Sequence, residues 1–190
     1  MRLAALFAAL LLVACEPSGS PPGRTSAPIV GGTRELGEDA VVEVSSFGGL
    51  CTGTLISPHV VLTAKHCVQS PGADHPNPVT TFSVGVGNSS RDTVNYRARY
   101  VETTPGVYNT NPTTGLSGAI FGIDIGVLIL REPIVGVTPI PIRRDRPDDM
   151  VGQEFTAIGF GQRPDGGSGL KYKGIGTVAS VTDGVIFSQQ

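Results

Sequence analysis

Three histidines, sixteen Asp and Glu residues and three cysteines are among the side chains of this 190-residue sequence suited to proton transfer, nucleophilic attack or metal ligation. His66 is the informative histidine. It ends the run Val60-Val61-Leu62-Thr63-Ala64-Lys65-His66-Cys67, where an apolar strand gives out. A general base needs such a placement: a ring held rigidly at a strand end, with one nitrogen free for a substrate or nucleophile. A structural or surface histidine would fit the same local context. His59, after Pro58 in a turn, and His75, beside Pro76 in a loop, read as solvated. Asp124 is the informative carboxylate. In Phe121-Gly122-Ile123-Asp124-Ile125-Gly126-Val127-Leu128-Ile129-Leu130 it enters a strongly apolar run, so burial there has to be compensated by hydrogen-bond donors. Facing a histidine ring nitrogen, it would fix the tautomer and stabilise the imidazolium. Capping a local turn through backbone N–H groups is the other use of such an Asp.

His and Asp also build metal sites, but no two ligand-type residues here sit at the usual helix or turn spacing, so no metal is expected. Gly166-Gly167-Ser168-Gly169 lacks the Lys that follows in a phosphate-binding loop, and no cofactor is expected either. The chain carries 14 Lys and Arg against 16 acidic residues, with no basic cluster interleaved with aromatics, which argues against a nucleic-acid partner.

The elements that must position His66 and Asp124 read as strands. With 26 Gly and 15 Pro the chain is rich in turn formers, while 39% hydrophobic and 16% charged residues suit a folded domain rather than a disordered chain. Short runs rich in Val, Ile and Thr predict strands at Val41–Ser45, Thr52–Ser57, Val60–Thr63, Phe82–Val86, Tyr96–Glu102, Ile125–Leu130, Glu154–Ile158 and Gly174–Val181, with Val185–Ser188 a ninth. No window holds a sustained helical period. Residues 69–78 and 103–117 are polar and rich in Gly or Pro and read as surface loops. The fold class is all-β.

The N-terminus has a different character. Arg2, the apolar run Leu3–Ala14 and then Cys15 follow the order of an export signal, so residues 1–14 read as a signal peptide. Twelve apolar residues are too few for a membrane span, which needs about 20. Leu12-Val13-Ala14-Cys15 resembles the lipobox of bacterial lipoproteins, in which the Cys is lipidated; an ordinary export signal ending in a Cys is the alternative. From Glu16 to Pro28, nine of thirteen residues are Pro, Ser or Gly, so residues 15–28 read as a tether or propeptide. Setting Cys15 aside leaves Cys51 and Cys67, sixteen residues apart, as a possible disulfide in an exported chain, or else as two separate thiols.

Four collinear motifs carry a resemblance to the trypsin-like and chymotrypsin-like serine proteases. Ile29-Val30-Gly31-Gly32 is similar to their mature N-terminus. Cys51-Thr52-Gly53-Thr54-Leu55-Ile56-Ser57 followed by Leu62-Thr63-Ala64-Lys65-His66-Cys67 resembles their histidine-loop disulfide and catalytic His. Asp124-Ile125-Gly126-Val127-Leu128 is similar to their catalytic Asp motif, and Gly159-Phe160-Gly161 to the segment that opens their second barrel. The resemblance implies a double β-barrel over residues 29–190, the first barrel complete over about 29–140 and the second partial over about 150–190. It implies a Ser-His-Asp endopeptidase acting on proteins or peptides, with His66 as base, Asp124 as orienter, Cys51 paired with Cys67, and Ile29 as the activating N-terminus. An anchored lipoprotein, released by cleavage before Ile29, is the expected localisation.

The sequence departs from that pattern at several points. Lys65 stands where the family usually has a small residue, and Phe160 where it usually has Trp. Pro28 precedes Ile29, and the nearest Lys or Arg is Arg24. No Gly-Asp-Ser-Gly-Gly motif occurs, and Asp165-Gly166-Gly167-Ser168-Gly169 falls where the family has a surface loop. The expectation is therefore a chain that stops before its nucleophile, inactive as it stands. A protease-like binding module without catalysis is the rival reading.

Overall fold

The computed structural model describes residues 32–46, 49–107, 123–163, 165–182 and 185–189. Cys15 and Ile29 lie outside them. Among the described residues ten strands follow in order: β1 (Thr33–Arg34), β2 (Val41–Ser46), β3 (Gly49–Ser57), β4 (Val60–Thr63), β5 (Phe82–Ser89), β6 (Asp92–Thr103), β7 (Gly126–Leu130), β8 (Glu154–Gly159), β9 (Tyr172–Thr182) and β10 (Val185–Gln189). A short helix, α1 (Lys65–Val68), follows β4, and 3-10 turns cover Val79–Thr81 and Pro147–Met150.

Strands β2 to β7 close into a barrel in the order β2-β3-β4-β7-β6-β5, with every neighbouring pair antiparallel. Closure leaves no free edge. The alternation that predicts each strand also fills the interior: Val42, Val44, Leu55, Val61, Phe82, Val84, Ala98, Leu128 and Leu130 are buried in one cluster, joined by Val68 of α1 and Ile134. Thr63 is buried among them, and its hydroxyl is satisfied by donating to the Thr52 carbonyl at 2.9 Å.

A second, partial sheet is built on β9. Strand β8 pairs along its first half, β10 along its second, and β1 adds two residues, Thr33 opposite Lys173 and Arg34 opposite Tyr172. Strand β1 thus precedes the barrel in the chain yet belongs to the other sheet. Hydrogen bonds join the halves at several points, among them Ser90 N–H to the Gly169 carbonyl at 2.7 Å. The Phe160 N–H donates to Thr52 Oγ1 at 3.0 Å, and Lys171 N–H donates to the Asn88 carbonyl at 3.0 Å. Phe160, in the position of a larger aromatic in the resemblance, is fully buried.

Candidate active site

Register explains how residues 58 apart in sequence come together. Gly126, at the start of β7, lies opposite Thr63, the last residue of β4, and also opposite Thr103, the last residue of β6. Three strand ends therefore meet at one rim of the barrel. His66 lies three residues beyond the end of β4 and Asp124 two residues before β7, so both project at that rim. Gly126 allows the approach: a Cβ there would stand 2.7 Å from a Val68 methyl and 3.3 Å from the Ala64 carbonyl oxygen, so only glycine lets α1 pack this closely.

Asp124 grips His66 twice. The His66 backbone N–H donates to Oδ1 at 2.9 Å, and ring Nδ1 lies 2.7 Å from Oδ2. An ionised carboxylate can only accept, so Nδ1 carries the proton and Nε2 keeps its lone pair. The side chains are 27% and 23% exposed, open enough for the ring to reach a substrate while most of the pair is shielded. An imidazole so oriented can take a proton on Nε2 and hold the resulting positive charge against the carboxylate.

Behind this pair, Cys51 and Cys67 form a disulfide with a Cα–Cα distance of 6.1 Å, tying β3 to the residue after His66. The ligand atoms of Cys51, His66 and Cys67 lie within 4.8 Å of one another. Both sulfurs are consumed in the disulfide, so the three do not form a thiolate ligand set.

The other candidates fall elsewhere. His59 is exposed at the start of the barrel's opposite end, its Nδ1 3.3 Å from the Leu130 carbonyl oxygen, and His75 stands in solvent beside Asp74. Ser168 lines a surface groove with Ser89, Ser90, Arg91 and Arg163, a groove that includes neither His66 nor Asp124.

Three residues outside the expected site surround the pair. Lys65 is buried, and its Nζ donates to the carbonyls of Pro105 at 3.3 Å and Gly106 at 3.2 Å. Gln69, read as the start of a surface loop, is 1% exposed, because its amide caps inward-facing groups: Nε2 donates to the Ala73 carbonyl at 2.7 Å, and Oε1 accepts from Thr103 Oγ1 at 2.8 Å. The Thr104 N–H donates to the Ile125 carbonyl at 3.0 Å and its hydroxyl donates to the Ile123 carbonyl, so Thr104 holds the carbonyls of the residues on either side of Asp124. No pattern in the sequence marks Lys65 and Gln69, because the single helical turn Lys65–Val68 that brings them together is too short to show a period.

The trypsin family profile matches residues 29–183, most of the chain. The chain belongs to the trypsin family. With that membership come a serine protease activity and protein or peptide substrates as the family's general character. Among solved structures it is similar to neuropsin, a serine protease expressed in the limbic system of mouse brain, at 19% identity and a TM-score of 0.63, covering 85% of this chain and 75% of that one. At that identity the likeness speaks to the fold: one closed six-stranded barrel and part of a second.

Proposed function

We propose that this chain carries the base and orienting residues of a serine endopeptidase, His66 and Asp124, and that its nucleophile lies on a Gly-Asp-Ser-Gly-Gly segment encoded after Gln190. The observation that carries the reading is the double grip of Asp124 on His66, through ring Nδ1 at 2.7 Å and the backbone N–H at 2.9 Å. Fixing both ring and backbone leaves Nε2 one direction in which to work. With the serine hydroxyl in that direction, Nε2 takes its proton as the oxygen attacks the peptide carbonyl, Asp124 stabilises the imidazolium, and the same proton goes to the leaving amine. The order His, Asp, Ser along the chain is that of the chymotrypsin-like enzymes.

The proposal extends to the N-terminus. Residues 1–14 direct export, a lipid on Cys15 anchors the chain to a membrane, and cleavage before Ile29 both creates the activating N-terminus and cuts the tether. Pro28 before the scissile bond calls for an activator other than one cutting after Lys or Arg.

The test is to extend the reading frame past codon 190, express the product, and treat it with a serine-directed phosphonate alongside its His66→Ala variant. The reading expects covalent labelling and peptide hydrolysis by the extended protein and neither by the variant. A stop codon at 191 in the native gene, with no labelling, would leave a protease-like binding module.

A further inference from the structure

One buried cation has no part in proton transfer, and its surroundings are unusual for a lysine. Lys65 is 3% exposed although it precedes His66 at an open rim, where a four-carbon stem could carry its charge into water. Taking an ammonium out of water is costly unless its donors are used. Here the donors go to the carbonyls of Pro105 and Gly106, two exposed residues just past the end of β6. Among the described residues Lys65 makes no salt bridge; its compensation comes from peptide dipoles.

The segment it holds is the one that holds Asp124. Gln69, four residues on and facing the same way, adds a second donor to the Gly106 carbonyl, Nε2 to O at 3.4 Å. Gly106 has φ +92°, a conformation open to glycine, and that twist presents the carbonyl to both donors. Thr103 is tied to the Gln69 side chain, and Thr104, between these anchors, bonds the carbonyls of Ile123 and Ile125 on either side of Asp124. Ile123 and Ile125 are 63% and 45% exposed, so packing of their side chains does little to fix the backbone there. The chain of support therefore runs from Lys65 through Pro105 and Gly106 to Thr104, and from Thr104 to the Asp124 backbone.

We propose that Lys65 is a positioning residue: its ammonium clamps residues 104–106 against α1 so that Thr104 holds the Asp124 carboxylate in register with His66. The proposal rests on the reading of His66 and Asp124 as base and orienter for its functional meaning, but its geometry can be tested without turnover. The helix that carries His66 would then set the position of its own carboxylate partner, through a lysine placed one residue before the ring.

The test uses the 190-residue chain labelled with ¹⁵N-histidine, reading the low-field proton resonance of the His66 Nδ1–H and its exchange rate with water. Lys65→Met keeps the apolar stem and removes the three donors. The expected result is an upfield shift and at least tenfold faster exchange of that proton, with the Cys51–Cys67 disulfide and a cooperative melt retained, while Lys65→Arg restores the low-field signal. A wild-type shift and exchange rate in Lys65→Met would overturn the proposal. Should Lys65→Met fail to fold, Thr104→Val interrupts the same chain nearer Asp124: the same upfield shift supports the proposal and an unchanged signal overturns it. In an extended, active enzyme, Lys65→Met lowers kcat at least tenfold with KM within twofold of wild type; a change confined to KM would contradict a positioning role. The resonance is read without a nucleophile, so an inactive enzyme would refute the protease reading and leave this test standing.

Discussion

The two halves of the molecule each bury a lysine and each meet it with a backbone carbonyl, but only the second sheet adds acidic neighbours. In the barrel half, Lys65 is met by the carbonyls of Pro105 and Gly106. In the second-sheet half, Lys171 is fully buried, donates to the Glu38 carbonyl at 2.7 Å, stands 5.6 Å from the centre of the Phe160 ring, and lies in the field of Asp39, Glu35 and Glu38. Burial pushes its pKa below the ordinary lysine value, and those carboxylates push back. The difference teaches where charge is tolerated. Carbonyl dipoles hold Lys65 without placing another carboxylate at the rim to compete with Asp124 for His66. At Lys171, far along the chain from either residue, acidic neighbours hold the incoming segment 35–39 onto the second sheet.

The comparison also separates a closed unit from an open one, and the largest expected effect tests the closed one. Leu128 sits fully buried on β7, the strand that delivers Asp124. Leu128→Ala should cost about 2–5 kcal/mol by urea unfolding, the range for a leucine truncated in a close-packed core. A cost below about 1 kcal/mol would mean the barrel is not the packed body that positions the site.

Lys171→Met should come next, at about 1–3 kcal/mol, since it leaves the Glu38 carbonyl unpaired and the acidic cluster uncompensated. A stability equal to or above wild type in urea would show that apolar packing serves the second sheet as well as the charge does.

The smallest effect concerns pH. The hydrogen bond and charge of Lys173, at 2.9 Å, and the Gly37 N–H hold the Glu35 carboxyl down to about 2 from 4.5. An acid with a depressed folded pKa contributes stability that is fully present above its unfolded value and lost as pH falls through the folded one. The melting temperature should therefore drop between pH 4.5 and 2, and drop less in Lys173→Met. Equal losses in both proteins would remove this pair from the ties between β1 and β9. Glu43, buried on β2 with one carboxyl oxygen unpartnered, works in the other direction: burial raises its pKa, so its contribution weakens as pH rises.

Much of this was legible in the chain itself, and the reasons differ by element. The barrel strands announce themselves because inward and outward residues alternate, as in Gly126, Leu128 and Leu130 against Val127 and Ile129. His66 and Asp124 stand out because each interrupts or ends an apolar run. Strand β1 was not legible: Thr33 and Arg34 are both exposed, and their pairing depends on β9, some 140 residues later. Lys65 and Gln69 were opaque for a related reason. A lysine beside a histidine looks solvated until the carbonyls 40 residues downstream are in place to receive it.

The most direct test of the central claim is Asp124→Asn in the extended enzyme, assayed for peptide hydrolysis. An amide there keeps the shape but can donate toward Nδ1, favouring the tautomer whose Nε2 is already protonated. On a Ser-His-Asp mechanism kcat should fall about 10⁴-fold. A loss smaller than tenfold, with the protein folded and its serine labelled, would remove Asp124 from the orienting role and leave His66 without its partner.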